Sequence, residues 1–136
     1  MKVNLLDRQM SVSDQLSPED VQVLAEQGVK ILVCNRPDHE VDLNQSFAMI
    51  QKAGQKHGMD SHHLPFVGDQ VEGGHEEKLL DLLDKGDRLH AYCRSGSRSS
   101  KLWARTRARQ GIDPEELHRR ASKAGFDVAS HLEIEK

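Results

Sequence analysis

Short continuous apolar runs recur along the chain and are separated by segments with helical periodicity. The runs VKILVC (29–34) and RLHAYC (88–93) are bounded by turn residues, which predicts two buried strands. Weaker strand patterns lie at 3–6, 10–13 and 61–66. The chain therefore supplies five candidate strands, and helix-like segments separate most of them.

The helical segments carry recognisable start and stop signals. Ser17 is a good N-cap, and Gly28 can end the helix that follows in a left-handed turn. Asp113 is a second N-cap, and Glu116 completes a capping-box pattern with it. Helices are predicted over 17–28, 44–58, 75–86, 98–111 and 113–125. Strands that alternate with helices predict a single α/β domain over 1–136, with a mostly parallel central sheet.

Composition narrows the class of protein. The 136 residues carry a formal net charge of −3, which gives no overall basic field for nucleic acid. No apolar run has the length of a membrane span, and the N-terminal segment lacks the long apolar core of a signal peptide. Two cysteines do not make a disulfide scaffold. We therefore expect a reduced, cytoplasmic setting with no nucleic-acid or membrane partner.

The segment CRSGSRS follows directly after the strand pattern at 88–93. Ligands bind outside the carboxyl ends of parallel strands, and Cys93 lies at such an end. The N–H groups of the turn and the helix dipole would surround the sulfur, Gly96 permits the tight turn, and Arg94 or Arg98 adds positive charge. These effects favour a nucleophilic thiolate. The predicted anion-binding loop consists of Arg94, Ser95, Gly96, Ser97, Arg98 and Ser99.

The alternative is an inert, buried cysteine followed by solvated arginines on a helix. A cysteine that ends an apolar run and precedes a glycine-containing, hydroxyl-rich turn is less often inert, so the reactive interpretation is favoured. The arginines of the helix at 98–111 form a local basic run. We interpret most of this run as a solvated helix face that would also attract anionic substrates or an acidic partner. Only one aromatic residue is interleaved with it, unlike in a nucleic-acid surface.

The segment YCRSGSRS resembles the active-site loop shared by rhodanese sulfurtransferases and cysteine-dependent protein phosphatases. More of the chain resembles the phosphatase-like domain of the beta-lactamase-hydrolase-like proteins, a bacterial family, through segments 11–40, 62–71 and 90–99. The resemblance implies a three-layer fold like that of the dual-specificity phosphatases, with a mostly parallel sheet flanked by helices and the cysteine loop between the last strand and a helix. It also implies Cys93 as nucleophile. Asp14 stands where a glycine would be expected, at a turn away from the chemistry.

The spacing of Cys93 and Arg98 bears on the reaction. Four residues separate them, whereas five separate the cysteine and arginine in the phosphatases that the loop resembles. A shorter loop encloses less volume, which suits a compact persulfide better than a phosphoryl group with several oxygens. We therefore predict a sulfurtransferase that moves sulfane sulfur through a Cys93 persulfide to a thiol acceptor. The alternatives are phosphatase-type hydrolysis through a phosphocysteine and a non-catalytic anion-binding regulatory module.

A general acid would distinguish these reactions. Phosphoester cleavage benefits from a carboxylic acid that protonates the leaving oxygen, while sulfur transfer between thiols can proceed without one. Asp69 occupies the region that holds this acid in the dual-specificity phosphatases, and Glu72 is a substitute. The favoured interpretation of Asp69 is nevertheless a turn residue of its glycine-rich loop. Asp38 in NRPDHE is a further candidate, although we favour a structural role for Arg36 and Asp38 beneath the site.

The sequence predicts no metal and no cofactor. His62 and His63 are adjacent and would face opposite sides of a strand, and no zinc-type spacing of Cys and His occurs. His90 is interpreted as a packing residue, and Tyr92 and Trp103 as residues of the core or of a pocket edge. The expected partners are a small sulfur donor or phosphoester substrate and, by family resemblance, a metallo-β-lactamase-fold persulfide dioxygenase.

Cys34 ends one strand pattern just as Cys93 ends another. In a fold like that of the dual-specificity phosphatases these strands are neighbours, and both sulfurs lie near one edge of the sheet. A nearby thiol can capture a sulfenic acid formed on a reactive cysteine, so Cys34 is a candidate redox partner of Cys93. Inert packing is the favoured alternative, because cysteine is among the most buried residue types.

Overall fold

The computed structural model, which describes residues 1–133, contains one sheet of five strands: β1 (Asn4–Leu5), β2 (Met10–Ser13), β3 (Val29–Cys34), β4 (Asp60–His63) and β5 (Arg88–Tyr92). Their spatial order is β1-β2-β5-β3-β4. Only β1 is antiparallel to its neighbour, and the other pairs are parallel. The predicted α/β class with a mostly parallel sheet is confirmed, and β3 and β5 are neighbours as expected.

Within residues 1–133, five α-helices connect and cover the strands: α1 (Pro18–Glu26), α2 (Phe47–Gln55), α3 (Gly73–Asp84), α4 (Ser97–Arg109) and α5 (Pro114–Lys123). Apolar residues of α1 and α2 pack on one face of the sheet, and those of α3, α4 and α5 pack on the other. The three-layer arrangement is therefore confirmed. None of the described helices is long and apolar enough to cross a membrane.

The alternation of side chains along the strands explains the two layers. In β3, Leu32 and Cys34 face α1 and α2, while Ile31 and Val33 face the opposite layer. Burial of both faces accounts for the continuous apolar run in the sequence. The largest fully buried side chain is Trp103 of α4, which confirms its predicted packing role.

The starts of α1 and α5 test the capping boxes in the sequence. Ser17 accepts a hydrogen bond from the N–H of Asp20, whose carboxylate accepts one from the N–H of Ser17, a reciprocal capping box at α1. The capping box predicted for α5 is wrong. The Asp113 side chain does accept a backbone hydrogen bond at this helix start. Glu116, however, forms ion pairs with two arginines one turn ahead, so its carboxylate is directed away from the helix start.

Several boundaries are shorter than predicted. The fourth strand ends at His63, although the N–H of Leu64 still donates to the carbonyl of Cys34 at 2.8 Å. Helix α2 begins at Phe47, after the N-cap Ser46, and the preceding residues 38–45 contain two short 3₁₀ turns. The ambiguous C-terminal segment contains a 3₁₀ turn at 129–131, and residues 134–136 lie outside the described residues.

Candidate active site

The cysteine loop, residues 93–99, lies at the carboxyl end of the central strand β5 and runs into α4. Gly96 has a φ of +97°, in the left-handed region that favours glycine, and this turn directs its N–H at the sulfur of Cys93 over 3.1 Å. The structure therefore places a backbone donor on the thiol, as the sequence predicts. A donor in this position stabilises negative charge on the sulfur or on a group bound to it.

Cys93 is fully buried at the base of the loop. Its N–H donates to the carbonyl of Ser13, at the end of β2, over 3.4 Å. Helix α4 begins at Ser97, four residues after the sulfur-bearing residue, so the positive end of its dipole faces the site. The sulfur is therefore shielded from solvent at the base of the loop.

Arg98 is held on the rim of the loop by three hydrogen bonds. Its two terminal nitrogens bind the two carboxylate oxygens of Glu40 at 2.7 and 3.0 Å, and one of them also donates to the carbonyl of Phe66 at 3.0 Å. The hydrogen bond to Glu40 raises the pKa of Arg98, and the nearby Cys93 adds to this effect. The guanidinium is thus fixed, charged and within electrostatic reach of the thiol.

Glu40 is a residue of the candidate site that the sequence analysis missed. Its carboxylate also accepts from the Nε of Arg36 at 3.3 Å, and the hydrogen bond from Arg98 lowers the pKa of Glu40. No local pattern points to it, because 58 positions separate Glu40 from Arg98. The one signal in the sequence was that Glu40 lies close to Arg36 in the segment NRPDHE, so that a carboxylate and a guanidinium could pair there.

The remainder of the segment NRPDHE has the structural role that was favoured. Asn35, fully buried, accepts from the hydroxyl of Ser99 at 2.8 Å and donates to the carbonyl of Leu64 at 2.9 Å. Asp38 accepts from the N–H of Phe47 at 2.9 Å and so supports the start of α2. Ser99 of the predicted anion loop therefore directs its hydroxyl into the protein interior.

Asp69 lies near the mouth of the cysteine loop, in the segment between β4 and α3. Its carboxylate is 63% exposed and forms an ion pair with Lys101 of α4. The hydrogen bond from Lys101 lowers the pKa of Asp69, so the group is an ionised acceptor at neutral pH. In this arrangement Asp69 has no proton to donate.

A second missed residue, Phe126, lies after α5 and packs against the loop. A Cβ added to Gly96 would lie 2.9 Å from the ring of Phe126 and 3.4 Å from the carbonyl oxygen of Ser13. The half-buried ring therefore closes one side of the turn that carries the Gly96 N–H. Phe126 also lines a cavity with Ser95 and Ser97 of the loop.

Beneath the loop, His90 of β5 is fully buried between two serines of β2. Its Nδ1 lies 2.7 Å from the hydroxyl of Ser11 and its Nε2 lies 2.7 Å from that of Ser13. The Ser13 hydroxyl donates its single proton to the carbonyl of Asp14, so its oxygen must accept a hydrogen bond from the Nε2–H of His90. The Nδ1 of His90 then carries no proton and accepts from the hydroxyl of Ser11. Burial lowers the pKa of His90 to about 3, which keeps the ring neutral. His90 is a packing residue, as predicted.

Cys34 lies opposite Tyr92, the residue before the nucleophile candidate. Its thiol donates to the carbonyl of Arg36 at 3.3 Å, and burial raises the pKa of Cys34 to about 11. Cys34 and Cys93 are both free and buried. The protonated, hydrogen-bonded thiol of Cys34 favours packing over a redox role.

One known protein family matches most of the chain. Residues 2–110 match the family described as beta-lactamase hydrolase-like protein, phosphatase-like domain. The chain belongs to this family. The family resemblance stated from the sequence is confirmed, and the cysteine loop and its supports at Glu40 and Asp69 all fall within the matched residues. No curated protein is significantly similar to the chain.

Solved structures extend the comparison. A candidate phosphatase from Neisseria meningitidis is 32% identical, with a TM-score of 0.82, and the match covers 98% of this chain and 95% of that one. A candidate phosphatase from Shewanella putrefaciens is 16% identical with a TM-score of 0.70, and the match covers 96% and 75% of the two chains. PTPMT1 in complex with PI(5)P is 16% identical with a TM-score of 0.75, with 97% and 90% covered.

The two more distant matches show the fold alone. Together with the Neisseria relative they show that the protein has a phosphatase-like fold with a cysteine loop, the dual-specificity-phosphatase-like architecture that the sequence predicted.

Proposed function

We propose that the protein is a cysteine-dependent, phosphatase-type hydrolase of small phosphate monoesters. The Cys93 thiolate attacks phosphorus, an S–P bond forms and the P–O bond to the leaving group breaks. Water then attacks the phosphocysteine, which releases inorganic phosphate and returns the thiolate. Cys93 is the nucleophile, and Arg98 with the Gly96 N–H stabilises the charge on the phosphoryl oxygens.

The observation that carries this proposal is a backbone donor on the buried sulfur together with a fixed guanidinium at the rim of the same loop. The Gly96 N–H reaches Cys93 at 3.1 Å, and Arg98 is fixed beside it by Glu40. The family match and the fold of the solved relatives support the same reaction. Because Asp69 is ionised, the leaving oxygen takes its proton from water, and esters with good leaving groups should react fastest.

Sulfur transfer is the second candidate, and the loop length favours it. Only four residues separate Cys93 from Arg98, and the reaction requires no general acid. The Cys93 thiolate would attack the outer sulfur of a persulfide or of thiosulfate, the S–S bond would break with a thiolate or sulfite leaving, and a second thiol would remove the sulfur. A metallo-β-lactamase-fold persulfide dioxygenase would then be a plausible consumer of the product.

Mass spectrometry of the intact protein separates the two reactions. The protein is incubated separately with an activated aryl phosphate, thiosulfate and glutathione persulfide, with Cys93→Ser as control. We expect a phosphoryl adduct on Cys93 that decays as phosphate appears, and no adduct on the serine variant. A one-sulfur adduct on Cys93, with no phosphoryl adduct and no phosphate release, would reverse the order of the two proposals.

A further inference from the structure

Most cations at the mouth of the cysteine loop are already paired with carboxylates of the protein. Arg36 and Arg98 share Glu40, and Lys101 pairs with Asp69. These pairs hold the side chains in place and reduce their attraction for an external anion.

Arg94, directly after Cys93, differs from these cations. It is exposed and has no hydrogen bond or ion pair with any side chain or backbone group of residues 1–133. A guanidinium has five N–H donors in a rigid fork that matches a carboxylate or phosphate. The charge and the donors of Arg94 are therefore available to a bound molecule.

A cavity of about 510 Å³ opens beside Arg94, between the loop and the segments that support it. Its other lining residues are Arg36, Glu40, Gly68 and Arg98, so three guanidinium groups face one carboxylate. Small-molecule sites have volumes of about 300–1,000 Å³, so there is room here for more than the group that reacts at the sulfur. The described residues that line the cavity include no aromatic or aliphatic side chain, so recognition here is electrostatic.

The other side of the loop has the opposite character. A second cavity is lined by Ser95, Ser97 and Phe126, and by the carboxylates of Asp69 and Asp127 with Lys101 as its only cation among the described residues. Lys101 is already paired with Asp69, so it offers little attraction to an additional anion there. This difference in charge between the two cavities favours a substrate whose second anionic group extends from Cys93 towards Arg94.

We propose that Arg94 binds a second anionic group of the substrate, separate from the group that reacts at Cys93. This inference rests on the proposed phosphatase-type reaction and specifies its substrate class: small molecules that carry a carboxylate or a second phosphate beside the reacting phosphate. Arg94 is then a specificity-determining residue, while Arg98 stabilises the charge of the phosphate that reacts at Cys93.

Four aryl esters test the proposal: phenyl phosphate, the meta and para forms of carboxyphenyl phosphate, and phenylene bisphosphate. We expect kcat/KM to be about tenfold higher for the compounds with a second anion than for phenyl phosphate, and Arg94→Gln to remove this preference. The preference should also shrink as salt is added. Comparing the carboxyphenyl phosphates with phenylene bisphosphate shows whether Arg94 prefers a carboxylate or a second phosphate.

The control is Arg8→Gln. Arg8 is likewise exposed and unpaired among the described residues, but it precedes β2 and so lies at the amino edge of the sheet. Its variant should keep the preference of the unmodified protein. Because the leaving groups differ in reactivity, the readout is the change in the substrate ratio between variants and not the rate with any one substrate.

Binding to Cys93→Ser separates this inference from the proposed function. If none of the esters is hydrolysed, titration calorimetry on Cys93→Ser should still show tighter binding of the second-anion compounds, and Arg94→Gln in the same background should abolish the difference. The inference is overturned if Arg94→Gln lowers kcat/KM for all the esters in equal proportion, or if Cys93→Ser binds all of them equally.

Discussion

Arg98 and Glu40 face each other through two parallel hydrogen bonds, from Nη2 to Oε1 at 2.7 Å and from Nη1 to Oε2 at 3.0 Å. Both side chains are mostly shielded, with 13% and 24% of their surface exposed. A planar pair of this kind fixes the guanidinium in position and orientation. The arginine that should stabilise the reacting group is therefore held in place by a carboxylate from a distant part of the chain.

The Glu40→Gln variant tests this relationship. The amide keeps the size of the side chain but loses the charge and one acceptor, so Arg98 should move on the rim of the loop. We expect kcat/KM to fall about tenfold to a hundredfold, since a charge-assisted hydrogen bond contributes about 1.5–3 kcal/mol. Glu77→Gln, at an exposed position of α3, is the matched control and should retain full activity. An unchanged rate in Glu40→Gln would show that Arg98 needs no such support.

Asp69→Asn tests whether the loop between β4 and α3 supplies a proton. Because the hydrogen bond from Lys101 lowers the pKa of Asp69, we expect less than a tenfold loss, even with a poor leaving group. Rates are compared for an alkyl phosphate and an activated aryl phosphate. A loss of about 10²–10⁴-fold with the alkyl ester that shrinks with the aryl ester would instead identify Asp69 as a general acid.

Gly96→Ala tests the turn that aims an N–H at the sulfur. Its left-handed backbone costs an alanine about 1–2 kcal/mol, and the added methyl group would meet Phe126 at 2.9 Å. We expect a lower free energy of unfolding and a slower reaction of Cys93 with substrate. Combining Gly96→Ala with Phe126→Ala should relieve the contact but not the backbone strain.

The matched control for this variant is Gly74→Ala in the first turn of α3. Nothing lies within 4 Å of a Cβ at Gly74, and the helix favours alanine there. Urea unfolding should therefore show a small gain in stability for Gly74→Ala. Equal effects of the two substitutions would argue against a special role for the Gly96 turn.

Neutral His90 makes stability depend on pH. The pKa of His90 is about 3 in the folded protein and about 6.5 in the unfolded chain, so acid favours the unfolded chain, which takes up the proton first. His90 should therefore cost the folded state about 2 kcal/mol at about pH 5 relative to about pH 7.5. Urea unfolding of the unmodified protein and of His90→Gln at both pH values isolates this contribution.

If His90→Gln does not fold, the imidazole resonances of the unmodified protein provide the same information. They should show no titration of His90 between about pH 7.5 and about pH 5. A ring that gains a proton in this interval would contradict the neutral tautomer between Ser11 and Ser13.

Mild peroxide treatment followed by non-reducing peptide mapping tests Cys34. Because the Cys34 thiol has a pKa raised to about 11 and donates to a carbonyl, we expect it to stay reduced while Cys93 is oxidised further. The Cys34→Ser variant should lose activity to peroxide at the same rate. A peptide that links Cys34 to Cys93 would establish the redox partnership.

Comparison with known proteins changes the order of the two reactions. The spacing of Cys93 and Arg98 ranks sulfur transfer first, while the family and its solved relatives support the phosphatase-type alternative. Loop length alone is an indirect measure, since it fixes how many backbone donors are present but not where the supporting side chains hold them. The adduct formed on Cys93 is the direct measure.

The sequence by itself determined the features that depend on near neighbours along the chain. Apolar runs identified β3 and β5, turn and cap residues identified most helices, and the segment after Cys93 identified the candidate active site. These signals are local, because hydrophobic periodicity, capping and the use of glycine in a turn each involve residues within a few positions of one another. The family resemblance added the three-layer arrangement.

Only the tertiary structure decided which distant groups surround that loop. The order β2-β5-β3 in the sheet places Ser13 beside Cys93, and the paths of the loops bring Glu40 to Arg98, Asp69 to Lys101 and Phe126 to Gly96. Such contacts join residues 30 or more positions apart, and nothing in the periodicity of either segment encodes the other. The ionisation of Asp69 and the fixed position of Arg98 follow from these contacts, since both depend on a partner that folding alone supplies.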